Sequence, residues 1–370
     1  EPGTRFNYNS MNTYMLSAVV RRKTGQTLTE YLNPRLFAPL GIPSPAWDVS
    51  PSGTEKGGWG LNLTIESVAK IGQLYLNKGV WTVNGEQTRL LSQEWIEAAT
   101  RPEIDTPEGE ITFGYGRQMW MTSYPGAFLF NGAFGQYMLA LPDRDVIVAL
   151  FSGTARLFAQ GGVMDAAERA FLAAVDAPLP ESPAEQRALT VLKAGLTVRY
   201  RQPYFEPSRE RLPMEELVRR LDGRVYQFEK NAAGLFPVVL MNVTNCYTSG
   251  LERAAFRREP DGRLRMELSE GEAQHRLLLT EEGYAAGEAT LRQDTYALRA
   301  SLQTEALHEG EWALHVNVHF IETPFTRVMH FLFRGDGVTL VLDEQPSVQA
   351  ASEMLLSLTG ISRVQAVRTL

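Results

Sequence analysis

The chain has 370 residues, 44% of them hydrophobic and 21% charged, with a formal net charge of −7. This composition excludes a disordered or fibrous protein, and the length fits two domains better than one ordinary core. Residues 1–178 carry 14 basic and 17 acidic side chains, so the acidic excess is spread along the chain and neither half has the basic footprint of a nucleic-acid binder.

No apolar run reaches the roughly 18 residues that a membrane-spanning helix needs. Glu1-Pro2-Gly3-Thr4 has neither the basic stretch nor the apolar stretch of a signal peptide, and it lacks an initiator methionine. The sequence is therefore expected to begin mid-protein, which leaves the compartment open. Cys246 stands alone, so an intramolecular disulfide or a cysteine-based metal site is excluded, and its expected role is that of a small buried hydrophobe.

In chain order, Asn12 to Lys23 places Tyr14, Met15, Ala18 and Val19 at helical spacing and stops at Gly25. Thr27 can cap a second helix with Leu28, Tyr31, Leu32 and Leu36 in one stripe, ended by Pro39-Leu40-Gly41. Ser50 to Gly60 reads as a loop lying near a functional site. A third helix opens at Thr64, with Ile65, Val68, Ala69, Gly72 and Leu76 as its core face and Gly79 as its stop, and a short helix starts near Ser92.

From Phe113 the period changes to two. Strands are expected at Gly116 to Met121, around Gln136 to Leu141 and from Val146 to Phe151, the last two joined by a turn at Pro142-Asp143-Arg144-Asp145. An alanine-rich helix from Val163 to Val175 closes an α+β domain with an antiparallel sheet, residues 1–178. Three prolines within Ala177 to Pro183 mark a linker, and residues 179–222 form the linker and a helical connector. Residues 223–346 then give short strands broken at Asp261-Gly262, Gly283 and Gly335-Asp336-Gly337, the spacing of a small barrel or sandwich. Residues 347–370 revert to helical periodicity, from Val348 to Leu358.

Pro2 to Ser10, Thr24-Gly25, Pro39 to Ile42, Gly60-Leu61, Gly72 to Gly79 and Gly132 to Gln136 occur in an order and spacing that resemble the serine hydrolases related to class C β-lactamases and penicillin-binding proteins. The resemblance implies acyl transfer with three motifs: S-x-x-K, a Y-x-N or S-x-N element, and a K-T-G or H-x-G strand. Tyr8-Asn9-Ser10 takes the place of the second, making Tyr8 the candidate proton shuttle and Ser10 a polar neighbour where the family has asparagine. The plain alternative is that Tyr8 packs beside Phe6. Phe130-Asn131-Gly132 takes the place of the third: Asn131 and Gly132 line the substrate strand, and the Ala133 N–H faces the oxyanion. Phe130 replaces the family's cation, so recognition of a β-lactam carboxylate is not implied. The alternative here is an edge-strand turn with a packing glycine.

The chain's one S-x-x-K is Ser67-Val68-Ala69-Lys70, and the resemblance aligns it with a later helix, away from the nucleophile. The nucleophile is therefore expected from a segment that precedes Glu1, and this chain is expected to be inactive by itself. All five histidines (His275, His308, His315, His319 and His330) fall in the C-terminal part, so a Ser-His-Asp site would have to form across the domain interface, for which the sequence offers nothing beyond this inventory. His315 and His319 share a strand face and have metal-ligand chemistry, but no third ligand is apparent, and the strand reads as ordinary and half-buried, with Trp312, Leu314, Val316, Val318 and Phe320 opposite.

Phe320 to Thr326 resembles the β-rich, lipocalin-like extension of some of these hydrolases. The implied whole is amide or ester hydrolysis through an acyl-serine, without metal or organic cofactor, on a peptide or other small-molecule substrate. The rival readings are a non-catalytic binding or scaffold module of the same fold, and a carrier whose cavity is lined by Phe320, Phe331 and Phe333. An incomplete hydrolase domain also predicts an open sheet, covered by self-association or by the missing segment.

Overall fold

The computed structural model describes residues 3–106, 113–154, 169, 175–176, 180–195, 210–229, 233–292, 294–307 and 310–349. The expected closing helix from Val163 to Val175 and the tail from Val348 to Leu358 lie almost wholly outside these residues, as does His308. Two compact units divide between Glu181 and Ser182.

In the first unit, α1 (Ser10–Thr24) is capped by Asn9, whose backbone is extended and whose side chain accepts from Met11 N. Arg21, Arg22 and Lys23 fill its last turn, where cations suit the helix dipole, and Gly25 at φ 71° closes it. α2 (Leu28–Leu32) has a complete capping box between Thr27 and Glu30. The expected single helix through Leu36 is instead broken: Pro34 cannot donate a backbone hydrogen bond, and Asn33–Phe37 form a π-helical turn that buries Phe37.

α3 (Ile65–Leu76) begins where Thr64 accepts from Ser67 N and ends at Asn77, followed by the positive-φ pair Lys78 and Gly79. A hairpin that the sequence reading missed follows: β1 (Val80–Val83) pairs with β2 (Glu86–Arg89) across Asn84-Gly85. Both turn residues have positive φ, 52° and 87°, which only such a dipeptide adopts without strain. α4 (Gln93–Ala99) is capped by Ser92.

The sheet runs β3 (Trp120–Met121), β4 (Phe128–Gly132), β5 (Gln136–Leu141), β6 (Val146–Phe151), all antiparallel. The strand expected from Gly116 is shorter because Gln118 takes φ 65°, which breaks the pleat. One face carries Phe128, Met138 and Ala140 against Val68, Tyr75 and Leu76 of α3. Gly72 sets that approach, since a Cβ there would lie 2.7 Å from Met138 Sδ. The other face carries Leu129, Tyr137, Leu139 and Leu141 with Trp120 and Tyr124. Helix α3 thus packs on an antiparallel sheet.

The second unit opens with α5 (Pro183–Gly195) and α6 (Met214–Leu221). Among the described residues nine strands follow in meander order: β7 (Val225–Gln227), β8 (Arg253–Arg258), β9 (Leu264–Glu270) and β10 (Ala273–Leu279) in one sheet; β11 (Ala285–Leu291), β12 (Asp294–Ala306), β13 (Trp312–Phe320), β14 (Thr326–Arg334) and β15 (Gly337–Gln345) in the other. Among the described residues the region is all-β apart from its helices, and neither sheet closes on itself.

α7 (Val238–Thr244) is held by Glu344, which accepts from Val238 N and Val239 N and pairs with the buried Arg327 at 3.1 Å. Two expectations are corrected here. β13 is buried on both faces, because Ala313, His315 and Asn317 are as enclosed as Leu314 and Val316, so it is not half-buried. Cys246 follows α7 and is partly exposed rather than buried.

Candidate active site

The cap of α1 places Tyr8 just outside the helix, where its ring stacks on Trp120 with centroids 5.5 Å apart and meets Tyr115 edge-on at 6.4 Å. Phe6 joins the same cluster, 5.2 Å from Tyr115 and 5.4 Å from Trp120. Edge-to-face and offset contacts of this kind suit the ring quadrupoles. Burial, and then the neighbouring Tyr8, push the Tyr115 hydroxyl up to about 12. An open cleft of about 650 Å³ adjoins the cluster, lined by Arg5, Phe6, Glu103, Ile104 and Asp105 among others.

The loop from Trp47 to Leu61 lies along α1. Gly57 and Gly58 permit this, because a Cβ on either would come within 2.6 Å of the Thr13 or Ser10 carbonyl oxygen. Ser17 Oγ donates to Glu55 O at 2.6 Å, Arg21 to Gly53 O, and the Tyr14 hydroxyl meets Ser50 and Ser52 at 3.1 and 3.2 Å. Hydrogen bonds from Ser50 and Ser52 lower the Tyr14 pKa. Ser10 is thus set against Gly58.

On β4, Asn131 pairs with Tyr137 and Gly132 with Gln136. The connecting turn has positive φ at Phe134 and Gly135, 62° and 93°, and it is held by Ser152 N to Gly135 O and Thr154 N to Phe134 O. Phe134 is buried and anchors the turn. Asn131 Oδ1 is buried and accepts no hydrogen bond among the described residues. Phe130 meets Tyr75 edge-on at 6.1 Å, so the position aligned with the family's cation belongs to the packing between α3 and the sheet.

Tyr8 and Asn131 are linked through the sheet: Trp120, under Tyr8, pairs with Leu129, and Asn131 lies two residues on, on the same face. Gly132 and Ala133 follow at the strand end, and Ser10, two residues after Tyr8, lies against Gly58. The aromatic partners of Tyr8 were missed from the sequence; the only local signal was the density of aromatic residues between Phe113 and Trp120. Ser67 and Lys70 do not engage each other. Ser67 is buried with its Oγ 2.8 Å from Thr64 Oγ1, and Lys70 Nζ donates to Gly41 O at 2.9 Å. Among the described residues no cluster of three or more His, Cys, Asp or Glu converges as a metal site.

A helix-backed antiparallel sheet, a tyrosine preceding a capped helix and a glycine turn at the strand end meet in this segment. In comparison with known families, residues 1–172 match the Beta-lactamase family model. The 6-aminohexanoate-dimer hydrolase of Paenarthrobacter ureafaciens is 30% identical over 156 residues, 40% of this chain and 39% of its own length. The chain therefore spans about two fifths of the curated relative it matches. A solved chain from Bacillus anthracis that bears the 6-aminohexanoate-dimer hydrolase name is 26% identical, covers 46% of this chain and 44% of its own, and has a TM-score of 0.38. SurE with D-Leu covers 91% of this chain and 68% of its own at 16% identity and a TM-score of 0.32. Scores this low carry no structural argument.

Proposed function

We propose that residues 1–172 are the later part of a serine hydrolase domain that cleaves an amide or ester through an acyl-serine, its nucleophile and lysine supplied by another segment. The family match over these residues carries the reading. In this scheme the serine oxygen attacks the carbonyl carbon and its proton passes to the lysine–tyrosine pair, with Tyr8 as the tyrosine. The leaving amine or alcohol takes that proton, and water then hydrolyses the acyl-serine. The Ala133 N–H stabilises the oxyanion, and Gly132 lets the substrate approach the strand. Asn131 Oδ1, buried without a partner among the described residues, is suited to accept from a substrate N–H.

The substrate class that fits is a small linear amide, as in the relative named for the 6-aminohexanoate dimer. Phe130, packed on Tyr75, offers no cation to a β-lactam carboxylate. The same packing favours a second reading, a binding or scaffold module that keeps the wall of the cleft without the chemistry. For the second unit the reading is a lipocalin-like accessory barrel. The meander order supports it, as do ring contacts between the two sheets: Phe256 to Phe331 at 5.6 Å and Tyr226 to Phe333 at 5.6 Å. Phe320, Phe331 and Phe333 are buried against other rings, which favours a filled interior over a carrier cavity.

The test is intact-protein mass spectrometry after exposure to a fluorophosphonate serine probe, on this chain and on the chain joined to a family segment carrying S-x-x-K. Labelling of the joined form alone supports the hydrolase. Labelling of this chain would place a reactive serine within it, and labelling of neither would favour the binding module.

A further inference from the structure

The cleft beside the Tyr8 cluster carries a cation that no acidic group engages among the described residues. Arg5, three residues before Tyr8, is exposed, and its guanidinium has neither an ion-pair nor a hydrogen-bond partner there. With Phe6, Pro102, Glu103, Ile104 and Asp105 it lines the open space of about 650 Å³.

Both walls of this cleft are tied to Tyr115. The Phe6 ring meets the Tyr115 ring at 5.2 Å, and Ile104 pairs with Tyr115 through the backbone, the Tyr115 N–H donating to Ile104 O at 2.9 Å. Tyr8 meets the same ring edge-on at 6.4 Å. One residue therefore supports both the cleft and the candidate proton shuttle.

The chemistry of the lining selects its ligand. Phe6, Pro102 and Ile104 offer apolar surface, and a planar guanidinium pairs with a carboxylate through two parallel N–H donors. Of the two acidic side chains, Glu103 is already engaged, its Oε1 accepting from Arg117 Nε at 3.0 Å. Asp105 has no partner among the described residues and opposes an anion. That opposition doubles for a dianion such as a phosphate, whereas a single carboxylate on an aliphatic chain gains from both Arg5 and the apolar wall. Phe130 leaves β4 without the family's cation, and Arg5 supplies one from the segment that leads into Tyr8.

We propose that this cleft is a carboxylate subsite, in which Arg5 holds the charged end of a linear aliphatic substrate while Phe6 and Ile104 line its hydrocarbon chain. The subsite deepens the hydrolase reading and rests on it for the reaction served. Carboxylate binding itself needs no nucleophile, because the lining lies wholly within residues 3–6 and 102–106.

The test is a saturation-transfer NMR titration of the whole chain with hexanoate and with hexanamide, which share a carbon skeleton and differ in charge. The parent chain is expected to bind hexanoate roughly two- to fivefold more tightly, the scale of one exposed ion pair, and to lose that preference as salt is raised. Arg5→Gln should abolish the preference with hexanamide binding unchanged, Arg5→Lys should keep part of it, and Asp105→Asn should strengthen it. Equal affinity for the two ligands in the parent chain, no binding of hexanoate, or a preference that survives Arg5→Gln would overturn the subsite. If Arg5→Gln fails to fold, Asp105→Asn decides, and no gain in hexanoate affinity there overturns it. The fluorophosphonate result is read separately. Labelling of the joined form without a carboxylate preference leaves the hydrolase and removes the subsite; a preference without labelling keeps the carboxylate site and assigns it to the binding module.

Discussion

Tyr8 has two separable contributions, a ring and a hydroxyl. Tyr8→Phe keeps the stack on Trp120 and is expected to leave stability nearly unchanged, whereas Tyr8→Ala loses ring contacts and is expected to cost about 1–2 kcal/mol in urea unfolding. When the chain is joined to a segment that restores catalysis, Tyr8→Phe should lower kcat by roughly 10²-fold or more if the hydroxyl moves the proton. Tyr115 gives a check on the cluster itself. Its folded pKa, about 12, stands above that of an unfolded tyrosine, so its neutral form is favoured by folding. That contribution is complete below about pH 10 and is lost as pH rises through the folded value. The tyrosinate absorbance of the folded chain should therefore contain a late-ionising group that disappears in Tyr115→Phe. The motif at Tyr8 and the strand at Asn131-Gly132 could be proposed from sequence because motif spacing is local. Trp120 and Tyr115 were not, because contacts across more than a hundred residues leave no periodic trace.

At the scale of elements, caps were the most legible signal. Thr27, Thr64 and Ser92 start their helices as their side-chain chemistry requires. The breaks were harder: Pro34 turns the end of α2 into a π-helical turn, and the Asn84-Gly85 signal of the β1–β2 hairpin was passed over although it is a strong one. Gly72 shows packing overriding propensity. Alanine there would gain up to about 1 kcal/mol of helix propensity. Its Cβ, however, would lie 2.7 Å from Met138 Sδ and 3.2 Å from Ile147 Cδ1, and overpacking costs about 1–3 kcal/mol. Gly72→Ala is expected to be net destabilising, with a lower urea midpoint and an unchanged m-value. Unchanged or increased stability would mean that Met138 yields freely.

Over the whole molecule the two units differed in legibility. The meander of the second was announced by glycine turns between alternating strands, and every one of its strands pairs with a neighbour in sequence. In the first unit, α1 shows that helical spacing alone does not identify a buried face. The residue of α1 that is buried is Ser17, and the helix is fastened to its loop by polar contacts of Tyr14, Ser17 and Arg21. Its large apolar side chains point outward: Met11, Met15, Leu16 and Val19 are each half or more exposed. Apolar side chains grouped in this way suit contact with another polypeptide, and we propose self-association through this face. The expectation is that the purified chain shows a mass that rises with concentration in sedimentation equilibrium. Met15→Lys with Val19→Glu, on the exposed face and away from the polar contacts, should suppress that rise while leaving the far-ultraviolet circular dichroism unchanged. A monomeric mass for the unaltered chain at every concentration would remove self-association through this face, and a rise that survives the substitutions would place the contact elsewhere on the molecule.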